Sequence, residues 1–153
     1  MGRIDGKTVI ITGAARGIGA VMAKRLAEEG ANVVITDVLN TDKTVADIVS
    51  TGGTAIGLTV DVTSDDDLTS LVETTEKNFG SVNILINNAS IFAALEPKPF
   101  MSIDNDEFDK VMTVNARGVH QATKAVVPAM MRAGGGKIVN IASGTFYLSL
   151  IHI

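Results

Sequence analysis

Five short apolar runs rich in β-branched residues recur along this chain, at Thr8–Thr12, Asn32–Thr36, Thr54–Val60, Val82–Asn87 and Lys137–Ala142. Strands buried on both faces read this way, and such strands need helices above and below them. The intervening segments supply those helices. Gly17–Glu29 puts Ile18, Val21, Met22 and Leu26 on one face, which predicts an apolar stripe, and Gly30 stands where a helix usually stops. Thr41–Ser50 reads as a second helix, ended by Gly52 and Gly53. Ser64 precedes Asp65, Asp66 and Asp67, which suit the positive end of a helix running to about Asn78 and stopped by Gly80. Ile91–Phe100, with Pro97 and Pro99, reads as a loop. Ile103–Arg132 reads as a long helical region, two helices meeting near Asp106, with a kink at Pro128. Strands alternating with helices predict an α/β fold with a doubly wound parallel sheet in three layers, α/β/α.

Composition narrows what such a fold could do. Net charge is −4 and the pI about 5.1, so no basic stripe is available to neutralise nucleic-acid phosphates. The chain has no cysteine and only two histidines, which rules out disulfides, thiolate metal sites, cysteine nucleophiles and a His-rich metal centre. Asp65 to Asp67 read as a solvated helix start rather than a metal site, and His120 as a helix-face residue. Met112, Met130 and Met131 read as core or interface filler. Met1 to Lys7 is polar, without the apolar core of a signal peptide, and no apolar run approaches the ~20 residues of a membrane span. The expectation is a cytoplasmic protein with no nucleic-acid, membrane or metal partner.

The first strand and helix are joined by Thr12-Gly13-Ala14-Ala15-Arg16-Gly17-Ile18-Gly19. The chain must turn sharply there, which Gly13 permits, and small residues let the backbone approach a pyrophosphate. The helix start, from Arg16 through Gly17, Ile18 and Gly19, then offers free N–H groups and a partial positive charge to phosphates. The spacing is neither the GxGxxG fingerprint nor a phosphate-binding loop ending in Gly-Lys-Ser/Thr. Asp37 ends the second strand, where a carboxylate can accept hydrogen bonds from an adenosine ribose. A carboxylate at that point repels a 2′-phosphate and favours NAD; Arg16 pulls towards NADP, since a guanidinium near the turn could bind that phosphate.

This Rossmann-like stretch resembles the short-chain dehydrogenase/reductase family, and the resemblance continues downstream. Asp61-Val62 looks like the family's adenine-contacting pair. Asn87-Asn88-Ala89-Ser90 resembles the family's Asn-Asn-Ala-Gly, with Ser90 in place of glycine, which narrows the space beside the nicotinamide ribose. Asn115 matches the helical asparagine that, in the family, holds a water in a proton relay, and Ser143 the serine that polarises the substrate oxygen. The resemblance covers Lys7 to Gly144 and implies reversible hydride transfer between a nicotinamide and a small alcohol or ketone. Ser-Gly-Thr-Phe-Tyr after the fifth strand is similar to members acting on secondary alcohols and ketones, aryl ones included. The family also implies a homo-oligomer, a tetramer or dimer.

One family element does not appear. The family moves its proton through a Tyr-x-x-x-Lys motif, and this sequence has none. Its only tyrosine, Tyr147, is followed at i+4 by Ile151, and reads with Phe146 as a pocket-lining residue. Leu148-Ser149-Leu150-Ile151-His152-Ile153 is the translation of CTG-TCT-CTT-ATA-CAC-ATC, a transposon end used to tag DNA fragments. The expectation is therefore an incomplete dinucleotide-binding domain over 1–147, an adaptor-derived tail over 148–153, and no turnover by the fragment. The fifth strand would then be an exposed apolar edge, and the long helix would carry an uncovered apolar patch. Two other readings share the same motifs: a naturally short, non-catalytic NAD-binding module, and an NADPH-dependent reductase of the ketoacyl type.

Overall fold

All five apolar runs enter one parallel sheet. In the computed structural model, which describes residues 2, 4–92, 95–96 and 98–143, the strands are β1 (Thr8–Thr12), β2 (Asn32–Asp37), β3 (Thr54–Thr59), β4 (Ile84–Asn87) and β5 (Lys137–Asn140). Their order across the sheet is β3-β2-β1-β4-β5, all pairs parallel. Register pairs Thr12 with Thr36, Asp37 with Thr59 and Asn87 with Asn140, so every strand delivers its C-terminal end to one edge. The direction of crossover reverses between β1 and β4. Open sheets of this kind admit ligands at that switch point. Phe146, Tyr147 and the tail from Leu148 lie outside the described residues.

Alternation along the strands splits the core into two layers. Ile10, Val34 and Leu85 face α3 (Asp65–Phe79) and α5 (Gly118–Arg132), against Leu68, Leu71, Val126 and Met130. Val9, Ile11, Val33 and Ile35 face α1 (Gly17–Glu28) and α2 (Asp42–Ser50), against Ala23, Ala27 and Ile48. Val60 and Val82 are buried although they lie just outside the hydrogen-bonded strands, so they extend the apolar runs beyond the ladder.

The buried face of α1 differs from the stripe expected of it. Gly19, Ala20, Ala23 and Ala27 are buried, while Ile18 and Val21 are 70% and 67% exposed. Met22 and Leu26 pack partly against the core. A Cβ added at Gly19 would stand 2.5 Å from the Gly13 carbonyl oxygen, so the helix start lies almost against the turn. At that separation only small side chains fit beneath the helix, and the branched ones are turned outward.

The long helical region also breaks elsewhere than expected. Asp106 lies in the first turn of α4 (Asn105–Met112), whose N-cap, Asp104, accepts the Glu107 N–H at 2.7 Å. The irregularity is a π turn over Thr113–Arg117, between α4 and α5. Pro128 lies inside α5, which continues to Arg132. α3 is capped by Ser64, whose hydroxyl accepts the Asp67 N–H, and ends at Gly80 in the left-handed region. β5 is shorter than the run that predicts it, and Ile138, Val139 and Ile141 are all exposed. Phe108 and Met112 on α4 are likewise exposed. Among the described residues no helix is long and apolar enough to cross a membrane.

Candidate functional site

The switch point is built from three glycines with different duties. Gly13 has φ +64°, and a Cβ there would lie 2.6 Å from the Cα of Ala89. Gly13 therefore lets the turn fold back and lets the end of β4 touch it. Gly19 has no special dihedral; it is held by proximity to Gly13, Ala14 and the Asn88 amide. Gly17 has φ +61° and nothing within 4 Å of its missing Cβ, so it shapes the backbone beside open space.

That open space meets an uncapped helix. Arg16, the N-cap of α1, is extended, makes no side-chain capping bond, and no acidic residue stands in the first turn. The first N–H groups of a helix have no partner within it and aim outward with the positive end of its dipole. A groove of about 630 Å³, lined by Arg16, Gly17, Ile18, Val21, Lys43 and Thr44 among others, opens beside them. Farther along it Lys24 and Lys43 meet Asp47 at 2.6 and 3.1 Å. The Asp47 carboxyl is held below its usual range by hydrogen bonds from Lys24 and Lys43.

Asp37 is brought directly to the turn. One carboxylate oxygen accepts the Ala15 N–H at 3.0 Å and the other accepts the Leu39 N–H at 3.0 Å. A carboxylate oxygen keeps a second lone pair, so both remain able to accept from hydroxyls of a ribose. The Val60 N–H donates to the Asp37 carbonyl, which seats Asp61 beside this edge. The Asp61 carboxylate itself accepts from the Thr63 N–H and hydroxyl. Val62 is buried under α5, where a Cβ on Gly118 would meet it at 2.7 Å.

Asn88 fastens the two halves of the sheet. Its side-chain amide donates to the carbonyls of Thr12 (3.0 Å) and Gly13 (2.9 Å). Thr12, which the motif reading passes over, answers from the other side: its buried hydroxyl accepts the N–H groups of Asn88 and Ala89, each at 3.0 Å. A buried β-branched hydroxyl at the last position of β1 is the signal that could have found it. Thr44, equally unforeseen, donates its hydroxyl to the Ala15 carbonyl at 2.8 Å. Ser90 follows on the exposed side of the edge.

Asn115 sits in the π turn and grips the chain just past Ser90. Its amide oxygen accepts the Ile91 N–H at 2.7 Å, and its amide nitrogen donates to the Ile91 carbonyl at 3.0 Å. Ser143 is exposed three residues beyond the end of β5. The strand end that leads to it is tied by Asn87, whose buried amide donates to Asn140 at 2.9 Å and to Thr123 on α5 at 3.3 Å. The structure thus gathers Gly13, Gly19, Asp37, Asn88 and Ala89 around the turn. Asp61, Val62, Asn115 and Ser143 stand farther along the same edge.

Comparison with known proteins agrees with this geometry. The profile of the short chain dehydrogenase family matches residues 7–151. The chain is 37% identical to a sorbitol dehydrogenase of Cereibacter sphaeroides over 92% of its own length and 54% of that protein. It is 38% identical to a cyclopentanol dehydrogenase of Comamonas sp. over 94% of its length and 57% of that protein. The crystal structure of a levodione reductase superposes with a TM-score of 0.85 at 32% identity, covering 92% of this chain and 55% of that one. The chain therefore spans little more than half the length of these relatives.

Proposed function

The chain belongs to the short-chain dehydrogenase family, and from that premise we propose that it forms the cofactor-binding part of an NAD-dependent oxidoreductase interconverting a secondary alcohol and a ketone. The observation that carries this is the uncapped start of α1, open beside Gly17 and next to Asp37 at the switch point. These residues fit a dinucleotide. A bound nicotinamide would supply or accept the hydride. The N–H groups at the helix start, from Arg16 through Gly17, Ile18 and Gly19, hold the pyrophosphate. Asp37 accepts from the adenosine ribose. Asp61 and Val62 flank the adenine, while Asn88, Ala89 and Ser90 shape the nicotinamide side.

Ser143 donates a hydrogen bond to the substrate oxygen, favouring the charge that builds there. Asn115 holds Ile91, and with it the loop that borders the reacting end. A proton must still reach or leave that oxygen. This sequence contains no Tyr-x-x-x-Lys, and the proton carrier is not among the residues named here. The relatives named above act on both polyols and cyclic alcohols or ketones, and the substrate here is a small molecule of that range.

The test is a titration of NAD⁺ and NADP⁺ against the wild-type chain and Asp37→Ala. NAD⁺ should bind the wild type more tightly than NADP⁺. Loss of the two acceptor oxygens should weaken NAD⁺ about tenfold, and removal of the negative charge should strengthen NADP⁺. Absence of NAD⁺ binding by the wild type would overturn the reading, and unchanged discrimination in the variant would remove Asp37 from it.

A further inference from the structure

Side chains from outside the glycine turn take both backbone groups of Ala15. Its N–H donates to one oxygen of Asp37 at 3.0 Å, and its carbonyl accepts the Thr44 hydroxyl at 2.8 Å. The neighbouring Ala14 N–H donates to the Thr36 carbonyl at 3.0 Å. The first half of the turn is therefore clamped to β2 and α2, just before the uncapped helix start at Arg16. Thr44 is only 3% exposed, and the helix that carries it is firmly seated. Ile48 lies in the core, and Asp47 pairs with Lys24 of α1 at 2.6 Å. In α3 the hydroxyls of Thr69 and Thr75 turn back to carbonyls of their own helix, those of Asp65 and Leu71. The Thr44 hydroxyl instead leaves its helix for a residue 29 positions away.

A carboxylate that accepts from ribose hydroxyls binds best when it is already held in one orientation, because ordering it on arrival costs affinity. Asp37 is held by two N–H groups, one on each oxygen. The Leu39 N–H lies two residues along the same stretch and moves with Asp37. Only the Ala15 N–H ties the carboxylate to the turn, and Ala15 itself is held from α2 by Thr44. Without that hydroxyl, Ala15 can rotate and Asp37 is released from the turn. A loosened carboxylate offers less to the ribose of NAD⁺ and places less fixed charge against the 2′-phosphate of NADP⁺.

We propose that Thr44 is a positioning residue for the cofactor, which acts through Ala15 to orient Asp37 and so sets both NAD⁺ affinity and discrimination against NADP⁺. This rests on the reading of Asp37 given above. The experiment is calorimetric titration of NAD⁺ and NADP⁺ against the whole chain carrying Thr44→Val, Thr44→Ala or Thr44→Ser, with thermal melting of each cofactor-free variant to establish that it folds. Thr44→Val should weaken NAD⁺ about fivefold and narrow its advantage over NADP⁺ by a similar factor, as loss of one hydrogen bond implies. Thr44→Ala removes the hydroxyl without setting a methyl against the Ala15 carbonyl, and carries the same comparison if the valine variant does not fold. Thr44→Ser keeps the hydroxyl and should restore both affinity and discrimination. In an Asp37→Ala background, Thr44→Val should leave the ratio of the two affinities unchanged, because its effect runs through the missing carboxylate. A hydroxyl that served only the packing of α2 would lower the melting temperature and leave the ratio alone. An unaltered ratio in the folded variants, no recovery in Thr44→Ser, or the same narrowing without Asp37 would each overturn the proposal while leaving the cofactor reading intact. Failure of NAD⁺ to bind the wild type would overturn both.

Discussion

At the scale of single residues, the three glycines of the turn separate folding from binding. Gly13 combines a left-handed backbone with a contact that no Cβ could share, whereas Gly17 has the backbone without the contact. Gly13→Ala should therefore cost about 3 kcal/mol of stability, from strain and the displaced end of β4. Gly17→Ala should cost only about 1 kcal/mol, the penalty of the dihedral alone, yet should weaken NAD⁺ because the helix start is re-aimed. Urea unfolding and NAD⁺ titration of both variants check this; equal losses of stability would refute the division. The glycines and Asp37 were legible in the sequence because their types are tied to backbone and charge at fixed spacing. Thr12 was not, because a strand threonine looks the same whether its hydroxyl is idle or, as here, receives two N–H groups from the residues just past β4.

At the scale of elements, the strands could be read closely and the helix faces could not. A buried parallel strand announces itself by an unbroken apolar run. A helix that must lie close to a sheet is chosen for smallness, so Gly19, Ala20, Ala23 and Ala27 form the buried face of α1 and the conspicuous Ile18 and Val21 do not. What joins α1 to α2 at the surface is Asp47 between Lys24 and Lys43. The hydrogen bonds from Lys24 and Lys43 depress the Asp47 carboxyl in the folded state. A depressed acid stabilises the fold at pH above its ordinary range, and that contribution is lost as pH falls through the folded value. Asp47→Asn should then be less stable than wild type at neutral pH, with the two curves converging in strong acid. The pair is exposed, so high salt should narrow the gap at neutral pH as well. Denaturation midpoints across pH measure this; a constant offset down to strong acid would contradict it.

For the whole molecule, topology sets the exposure. β5 pairs with β4 along one side only among the described residues, and its apolar residues Ile138 and Val139 face solvent along with Ile141. Such an edge is a template for pairing with other chains. The expected outcome is concentration-dependent association, reduced in Val139→Lys without loss of NAD⁺ binding, since β5 lies farther from the glycine turn than β4 does. Light scattering across a concentration series checks it, and equal association by wild type and variant would count against the edge as its cause. The α/β class and the parallel sheet follow from alternation and crossover rules that act over the entire chain. The break between α4 and α5 follows from no such rule. Nothing in Thr113-Val114-Asn115-Ala116-Arg117 marks a π turn, because the reason for it, the grip on Ile91, lies 24 positions away.

That π turn has a consequence for how this chain can tolerate changes in length. A π turn holds one residue more than an α turn, so it behaves as a single-residue insertion that the helix has absorbed locally. Deleting one residue within Thr113–Arg117 could heal it into continuous α-helix, at no cost in helical hydrogen bonds. The healing would leave α5 in phase with α4, because the extra residue is taken up within that one turn. Ala122, Val126 and Met130 would keep their places in the core, while Asn115 would lose the widened turn from which it holds Ile91. A single residue can therefore be removed from this region at the expense of the site and not of the core.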